Sequence, residues 1–271
     1  MKIFAVGMNY LEHNKELHGA LYKPEEPVIF TKADSALLKD HKPFFIPDHL
    51  GRIDYETELV VRISRLGKTI SERFAPRYYD AVTVGIDFTA RELQKKLRAE
   101  GKPWELCKGF DGSAAIGEWV SLEKFRDVQA IHFHLDINGK TVQEGCTSDM
   151  LYRVDELIAY ISQFFTLKTG DILFTGTPAG VGPVNIDDKL EGYLEDRKVL
   201  EFSCKYNCRG SSPTEYTDFK EGTAKIFSHR CHRCTQIYEG MASLPCPRSH
   251  PNFCEFCEFR GCTYPNFCVH P

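Results

Sequence analysis

A change of composition near residue 205 decides which part of this chain can bury an apolar core. The chain has 271 residues and 11 cysteines, and all but three of the cysteines lie beyond residue 205. Residues 206–271 contain few aliphatic side chains, namely Ile226, Ile237, Leu244 and Val269. Residues 1–205 are long enough to bury a sizeable core. We therefore predict a folded domain at 1–205 and a cysteine-rich C-terminal extension at 206–271, whose order the composition leaves open.

The charge and the distribution of apolar residues exclude several classes of partner. The formal net charge is −4 and no basic stripe runs along the chain, which argues against nucleic acid. No apolar run is long enough to span a bilayer. The N-terminal segment becomes polar at Asn9, too early for the apolar core of a signal peptide. We therefore expect a cytoplasmic protein with neither a nucleic-acid nor a membrane partner.

Short β-prone runs dominate residues 1–205. They lie at 28–31, 58–63, 81–87, 131–137 and 171–175. Residues 131–137 alternate apolar and polar side chains and end at Asn138-Gly139, a pair typical of a hairpin turn. His132 and His134 fall on the polar side of this strand, so we interpret them as surface residues. The pattern predicts a β-dominated α+β fold.

Two helices have clear signals in the sequence. One follows Asp87, where Thr89 and Glu92 form a capping-box pattern, and runs toward Gly101. The other covers residues 155–165, where apolar residues recur at helical spacing as far as Phe164 and Phe165. We expect that apolar stripe to belong to the core.

Two glutamates one residue apart stand at the start of the β-prone run at 58–63. Side chains at i and i+2 of a strand point to the same side, so Glu56 and Glu58 would face one spot. The apolar residues that follow place this spot at the edge of a core, where two like charges are costly. A divalent cation offsets that cost. A solvated acidic strand face is the alternative interpretation.

A third acid favours the metal interpretation. Asp87 ends the run at 81–87 and precedes a predicted helix, and such junctions commonly carry site residues. Two oxygen ligands from one strand and a third from a strand end suit Mg²⁺ or Mn²⁺, which keep open positions for water and substrate. We therefore predict Glu56, Glu58 and Asp87 as metal ligands.

Three further segments carry residue types suited to a site, although each also has an ordinary structural explanation. His13 and Glu16 would share a helix face, where the acid can orient a general base, but a surface helix fits equally well. Lys108 can reach an anionic substrate, or it is a surface lysine. The glycine-rich loop at 175–182 has backbone N–H groups that can bind a carboxylate, or it is an ordinary turn.

Five segments occur in an order that is typical of one enzyme family. They are 6–16, the strand with Glu56 and Glu58, 85–91, 108–111 and 175–183. Together they make residues 1–205 resemble the fumarylacetoacetate hydrolase family, in its branch of acylpyruvate hydrolases and oxaloacetate decarboxylases. The resemblance implies a catalytic domain at 1–205 with the C-terminal-domain-like fold of that family. This fold is a mixed β-sandwich or roll with few helices, and its members usually form homodimers.

The resemblance also implies a role for each site residue. The catalytic residues would be His13, Glu16 and Lys108, and the ligands of Mg²⁺ or Mn²⁺ would be Glu56, Glu58 and Asp87. The substrate-binding residues would be Arg91, Gln94, Gly176 and Thr177, with Arg91 anchoring either a carboxylate of the substrate or a ligating acid. Many relatives carry arginine where this chain has Met8, which leaves substrate preference open.

The implied activity is that of a metal-dependent hydrolase or lyase acting on small 2-oxo acids. It would hydrolyse the C–C bond of an acylpyruvate, or decarboxylate or tautomerise oxaloacetate, through a metal-bound enolate of pyruvate. In the hydrolase reaction, His13 polarised by Glu16 would activate the attacking water. Because one site can support all three activities, the sequence does not indicate which of them the protein prefers.

The extension at 206–271 carries a second metal signal. Two Cys-x-x-Cys pairs, Cys231 with Cys234 and Cys254 with Cys257, are separated by 19 residues, a spacing that fits a structural Zn²⁺ site. A zinc-binding interaction module on a scaffold body is therefore the alternative function. A disulfide scaffold conflicts with a cytoplasmic body, and a disordered or non-native extension is a further interpretation.

Overall fold

The computed structural model describes residues 1–19 and 22–206, without the side chains of Leu17 and His18. The predicted zinc ligands, and all of the predicted extension except Tyr206, lie outside the described residues. The boundary at residue 205, the cytoplasmic location and the homodimer stay predictions. In the two described stretches, no helix has both the length and the apolar character needed to cross a lipid bilayer.

The chain folds into many short strands and few helices. As far as residue 116 it forms, in order, β1 (Ile3–Gly7), α1 (Leu11–His18), β2 (Val28–Lys32), β3 (Leu37–Leu38), β4 (Phe44–Ile46), β5 (Ile53–Tyr55), β6 (Thr57–Ile63), β7 (Tyr79–Asp87), β8 (Thr89–Ala90), α2 (Arg91–Ala99), α3 (Glu105–Lys108) and β9 (Ala114–Ile116). It continues with β10 (Val120–Ser121), β11 (His132–Ile137), β12 (Lys140–Cys146), α4 (Val154–Phe164), β13 (Ile172–Phe174), β14 (Gly182–Pro183), β15 (Lys189–Leu194) and β16 (Arg197–Tyr206). Short 3₁₀ helices lie at Asp34–Ala36, Glu72–Arg77, Leu122–Lys124, Val128–Ala130 and Thr147–Asp149.

The largest sheet has eight strands and a mixed topology. Its order is β2-β1-β13-β6-β7-β9-β3, and β10 pairs with β7 outside this path. Most neighbours are antiparallel, but β1 pairs with β13, and β3 with β9, in parallel. β6 and β7 lie inside the sheet and are almost entirely buried, because their apolar runs are covered on both faces.

A second sheet of five strands packs against the first. Its order is β12-β11-β15-β16-β4, and β11 and β12 form the hairpin predicted at Asn138-Gly139. A Cβ atom at Gly192 of β15 would lie 2.9 Å from Val84 Cγ1 of β7, so glycine is needed for this close approach of the sheets. The three short strands β14-β5-β8 form a third sheet.

This architecture confirms the predicted β-dominated α+β fold with few helices. The five β-prone runs overlap the strands β2, β6, β7, β11 and β13. His132 is exposed and His134 is half-buried, as expected for the polar side of β11.

The predicted capping box at the start of α2 is wrong. α2 begins at Arg91, its N-cap is Ala90, and no side chain caps it. Thr89 instead belongs to β8, and its hydroxyl donates to the carbonyl of Asp87 at 3.2 Å. The extended backbone of Thr89 and Ala90 delays the helix and keeps its first residue close to β7.

The apolar stripe of α4 is buried only in part. Leu157, Ile158 and Ile161 are buried as predicted. Phe164 and Phe165 are 61% and 40% exposed, so the prediction is wrong for these two residues. α4 ends at Phe164, and its last turn therefore carries aromatic side chains past the edge of the core.

Candidate active site

Three buried carboxylates lie together where β6 begins and β7 ends. Glu56 precedes β6, Glu58 is the second residue of β6, and Asp87 is the last residue of β7. The Asp87 N–H donates to the Glu56 carbonyl at 2.8 Å, which places these two residues side by side. One carboxylate oxygen from each of the three lies within 4.8 Å of the others, and no residue of the three is more than 5% exposed. The solvated acidic strand is therefore not what the chain forms.

Lys108, the last residue of α3, contacts two of these carboxylates. Its Nζ lies 2.6 Å from Glu56 Oε2 and 2.8 Å from Asp87 Oδ2. Burial alone would lower the pKa of Lys108, but Asp87 and Glu56 raise that pKa above its ordinary value, so the ammonium stays charged. Only 3% of Lys108 is exposed, which rules out a surface lysine.

A second buried lysine, Lys32, was not predicted from the sequence. Its Nζ lies 2.6 Å from Asp87 Oδ1 and donates to the carbonyls of Ser113, at 3.0 Å, and Lys108. The contact with Asp87 is an ion pair outside hydrogen-bond geometry, so Oδ1 accepts no hydrogen bond from any described residue. The alternation of side chains along a strand could have indicated Lys32. Residues 30 and 32 of β2 share one side of the strand, and Phe30 lines the same pocket as the three acids.

Arg91 orients one of the acids and does not contact the pocket directly. Its Nη2 donates to Glu56 Oε1 at 2.6 Å, and its Nε donates to Asp54 Oδ2 at 2.8 Å. Its Nη1 donates to Gln94 Oε1 at 2.7 Å. Asp54, which the sequence did not single out, is 1% exposed and also accepts from Arg52 Nε at 2.6 Å. Arg91 is thus in contact with a candidate ligating acid, Glu56, which is one of its two expected roles, and its role in substrate binding stays a prediction.

The glycine-rich loop after β13 holds the other glutamate. The Gly176 N–H donates to Glu58 Oε2 at 2.7 Å, and Thr177 Oγ1 donates to the Thr57 carbonyl at 2.9 Å. Gly176 has φ +98°, and a Cβ atom there would lie 2.7 Å from Asn9 Cβ, so the loop needs glycine at this position. Gly176 and Thr177 therefore hydrogen-bond to Glu58 and to its neighbour Thr57, and their contact with substrate stays a prediction.

His13 and Glu16 are close enough to act as a pair. Both lie on α1, and His13 Nδ1 is 3.3 Å from Glu16 Oε2, which also accepts from the Gly180 N–H at 3.3 Å. His13 is buried and lines the pocket. Burial lowers the pKa of His13 against the opposing effects of Glu56 and Glu16. The imidazole is therefore neutral near pH 7 and can accept a proton.

A narrow pocket opens onto the three carboxylates. The three acids, His13 and Lys108 line this pocket. Its other lining residues are Val6, Gly7, Met8, Phe30, Gln94, Arg98, Trp104 and Thr177. Gln94 was predicted to lie there, and Arg98 was not. The sequence does contain a signal for Arg98: it follows Gln94 by four residues on α2, so the two side chains share one face of the helix.

The carboxylates of the cluster differ in their electrostatic surroundings. Burial alone would raise the pKa of Glu56, but Lys108 and Arg91 hold that pKa well below its usual range. Burial and the charge of Asp87 raise the pKa of Glu58 well above its usual range, against the effect of Lys108. An ionised Glu58 therefore lacks sufficient positive charge among the described residues.

The donor set fits a small divalent cation. Three hard carboxylate oxygens converge, which is the type of ligand that Mg²⁺ and Mn²⁺ prefer. Glu58 is buried and short of positive charge, because burial and Asp87 raise its pKa. A cation among these residues would supply that charge.

Replacing Glu58 by glutamine should stabilise the metal-free protein. Glutamine carries no charge, so the variant avoids the cost of keeping Glu58 beside Asp87, whether that cost is repulsion of the ionised form or protonation of the carboxylate. The oxygen of the amide can still accept from the Gly176 N–H. A gain of about 1 kcal/mol would raise Tm by about 2–4 °C in a chain of this size. Thermal unfolding of wild type and Glu58→Gln in a chelator at pH 7 measures this. The exposed Glu123→Gln is the matched control and should not change Tm, whereas a lower Tm for Glu58→Gln would contradict the charge assignment.

Comparison with known proteins shows which family this chain is similar to. The sequence pattern described as fumarylacetoacetate (FAA) hydrolase C-terminal matches residues 2–214, beyond the predicted boundary at 205. Oxaloacetate tautomerase YcgM of Escherichia coli (strain K12) is 40% identical over 204 residues, which cover 73% of this chain and 92% of that protein. The crystal structure of a fumarylacetoacetate hydrolase family protein from Yersinia pestis CO92 is 40% identical, with a TM-score of 0.72 over 75% of this chain and 92% of that one.

A further solved structure contains ligands. Fumarylpyruvate hydrolase from Pseudomonas aeruginosa, in complex with Mn²⁺ and pyruvate, is 30% identical, with a TM-score of 0.71. The similarity covers 76% of this chain and 90% of that one. The family match and the identity to these proteins confirm the resemblance carried by the five motifs. The chain belongs to the fumarylacetoacetate hydrolase family.

Proposed function

We propose that this protein is a divalent-metal-dependent enzyme that acts on small 2-oxo acids by forming the enolate of pyruvate. The observation that carries the proposal is the convergence of Glu56, Glu58 and Asp87 at the base of a pocket that also contains His13 and Lys108. The names of two relatives support it, since one is an oxaloacetate tautomerase and the other a fumarylpyruvate hydrolase complexed with Mn²⁺ and pyruvate.

The three acids would hold Mg²⁺ or Mn²⁺. When bound, the ion supplies Lewis-acid polarisation of the substrate's keto oxygen and stabilises the negative charge that develops on it. Lys108 keeps Glu56 and Asp87 in place and remains charged while it does so. Because the acids are nearly inaccessible to solvent, their attraction for a cation is stronger than it would be in water.

His13 is placed to handle the proton of the hydrolytic reaction. With the Nδ1–H donated to Glu16, Nε2 is the unprotonated nitrogen and can accept a proton from water. That water attacks the carbonyl farther from the 2-oxo acid carboxylate, the C–C bond breaks, and its electron pair forms the enolate. Glu16 fixes the orientation of the ring and stabilises the imidazolium that results.

The same pocket suits three related reactions because each passes through the enolate of a 2-oxo acid. Hydrolysis and decarboxylation form the enolate of pyruvate, and tautomerisation forms the enolate of oxaloacetate itself. Hydrolysis of an acylpyruvate needs an activated water. Decarboxylation of oxaloacetate breaks a different C–C bond and releases CO₂ without a water. Tautomerisation of oxaloacetate needs only removal and return of a proton. The residues of the site therefore suit a class of 2-oxo acids with a second carbonyl or carboxylate.

Turnover assays with Mg²⁺ or Mn²⁺ test the proposal directly. Wild type should convert oxaloacetate or acetylpyruvate, and chelation should abolish the activity in a way that added metal restores. Glu58→Gln should lose about 100-fold or more in kcat, because Lewis-acid stabilisation contributes several kcal/mol and about 1.4 kcal/mol corresponds to a factor of ten.

Glu123→Gln is again the matched control and should behave as wild type. Equal rates for wild type and Glu58→Gln, or activity that survives complete chelation, would overturn the metal assignment.

Replacing His13 should separate hydrolysis from decarboxylation. His13→Gln removes the general base, so acetylpyruvate hydrolysis should slow by about 10²–10⁴-fold. Oxaloacetate decarboxylation should slow much less, since no water is activated in that reaction. Both rates are measured on one preparation with saturating Mg²⁺, and an equal loss in the two reactions would contradict the assignment of His13.

A further inference from the structure

We propose that Gln143 is a positioning residue for the candidate metal site, through which the second sheet fixes the directions of Glu56 and Glu58. The inference rests on the proposed function, because it concerns the geometry of the same ligands. Gln143 lies on β12, is 2% exposed, and is not among the described residues that line the pocket. It therefore acts through other residues.

Both the oxygen and the nitrogen of the Gln143 side-chain amide form hydrogen bonds. Its Oε1 accepts from the Thr57 N–H at 2.9 Å. Its Nε2 donates to Thr177 Oγ1 and to the Pro178 carbonyl, each at 2.8 Å. An amide has two N–H donors, and here both have an acceptor. The side chain thus joins the start of β6 to the glycine-rich loop after β13.

Three hydrogen bonds form a closed ring around Thr57. Thr57 donates its N–H to Gln143, Gln143 donates to the Thr177 hydroxyl, and Thr177 donates to the Thr57 carbonyl at 2.9 Å. Each member of the ring is both donor and acceptor, an arrangement in which hydrogen bonds strengthen one another. All three residues are buried, so water does not compete for these groups.

The ring controls the two peptide groups that flank Thr57. The Thr57 N–H belongs to the peptide that joins it to Glu56, and the Thr57 carbonyl belongs to the peptide that joins it to Glu58. Fixing both planes fixes the directions in which the two glutamate side chains leave the backbone. The same loop also donates the Gly176 N–H to Glu58 Oε2, so a shift of the loop would move that carboxylate as well.

Loss of the amide should therefore weaken metal binding as well as folding. Gln143→Leu leaves the Thr57 N–H buried without its acceptor, which should lower Tm. Removal of groups that orient metal ligands typically weakens metal affinity by about 10–100-fold. A purely structural residue would lower stability without the second effect.

The chain offers a matched control in Gln129. This glutamine is also buried, its Oε1 accepts from the Val154 N–H at 2.8 Å, and its Nε2 donates to the Thr147 carbonyl at 3.1 Å. It therefore links backbone segments as Gln143 does, but it bonds to no residue of the pocket. Gln129→Leu should lower stability without changing metal affinity.

The test is a titration of the full-length chain with Mn²⁺ at pH 7, with free Mn²⁺ followed by electron paramagnetic resonance and Tm measured on the same samples. We expect Gln143→Leu to raise the Mn²⁺ Kd about 10-fold or more and Gln129→Leu to leave it at the wild-type value. Thr177→Val breaks the same ring and should also raise the Kd. The double variant should lose less than the product of the two single losses, because both changes open one ring.

The outcomes separate this inference from the proposed function. If wild type binds no Mn²⁺, the proposed function fails. If wild type binds Mn²⁺ and Gln143→Leu binds it equally well, the inference about Gln143 fails alone. An equal loss of affinity in Gln129→Leu would also overturn it. If Gln143→Leu does not fold, Thr177→Val decides, and an unchanged Kd in that variant refutes the role of the ring.

Discussion

Neutralisation of three buried carboxylates is the constraint on which the rest of this structure depends. Removing ionised groups from water costs several kcal/mol for each ion unless charges and hydrogen bonds compensate. Lys32 and Lys108 pair with Asp87, and Lys108 and Arg91 pair with Glu56. Among the described residues, no ion pair reaches Glu58, whose pKa is raised by burial and by the charge of Asp87. A divalent cation beside Glu58 would supply the positive charge that this carboxylate lacks.

The acids are held in place by a network of hydrogen bonds and ion pairs that extends away from the pocket. Asp54 fixes Arg91, which in turn fixes Glu56. The glycine-rich loop fixes Glu58, and Gln143 joins that loop to the strand between the two glutamates. The second sheet therefore acts as a support for a site that is built on the first.

The sequence predicts those parts of the site whose residues lie close together along the chain or at the end of a recognisable strand. The spacing of Glu56 and Glu58 and the position of Asp87 at a strand end are local signals, and the structure places these residues together. Gln143 could not be found in this way, since it is 86 residues from Thr57 and joins it only through the packing of two sheets. The capping-box pattern at Thr89 failed for a related reason: the strand pairing of β8 with β5 outweighs a local helix signal.

A crystal structure of the full chain grown with Mn²⁺ and oxalate, a mimic of the pyruvate enolate, would test the central claim most directly. Anomalous scattering at the manganese edge locates the ion without reference to the protein. We expect one strong peak bonded to carboxylate oxygens of Glu56, Glu58 and Asp87, with the oxalate completing its coordination. Ordered crystals without a peak among these three residues, or with the ion bound only elsewhere, would contradict the account.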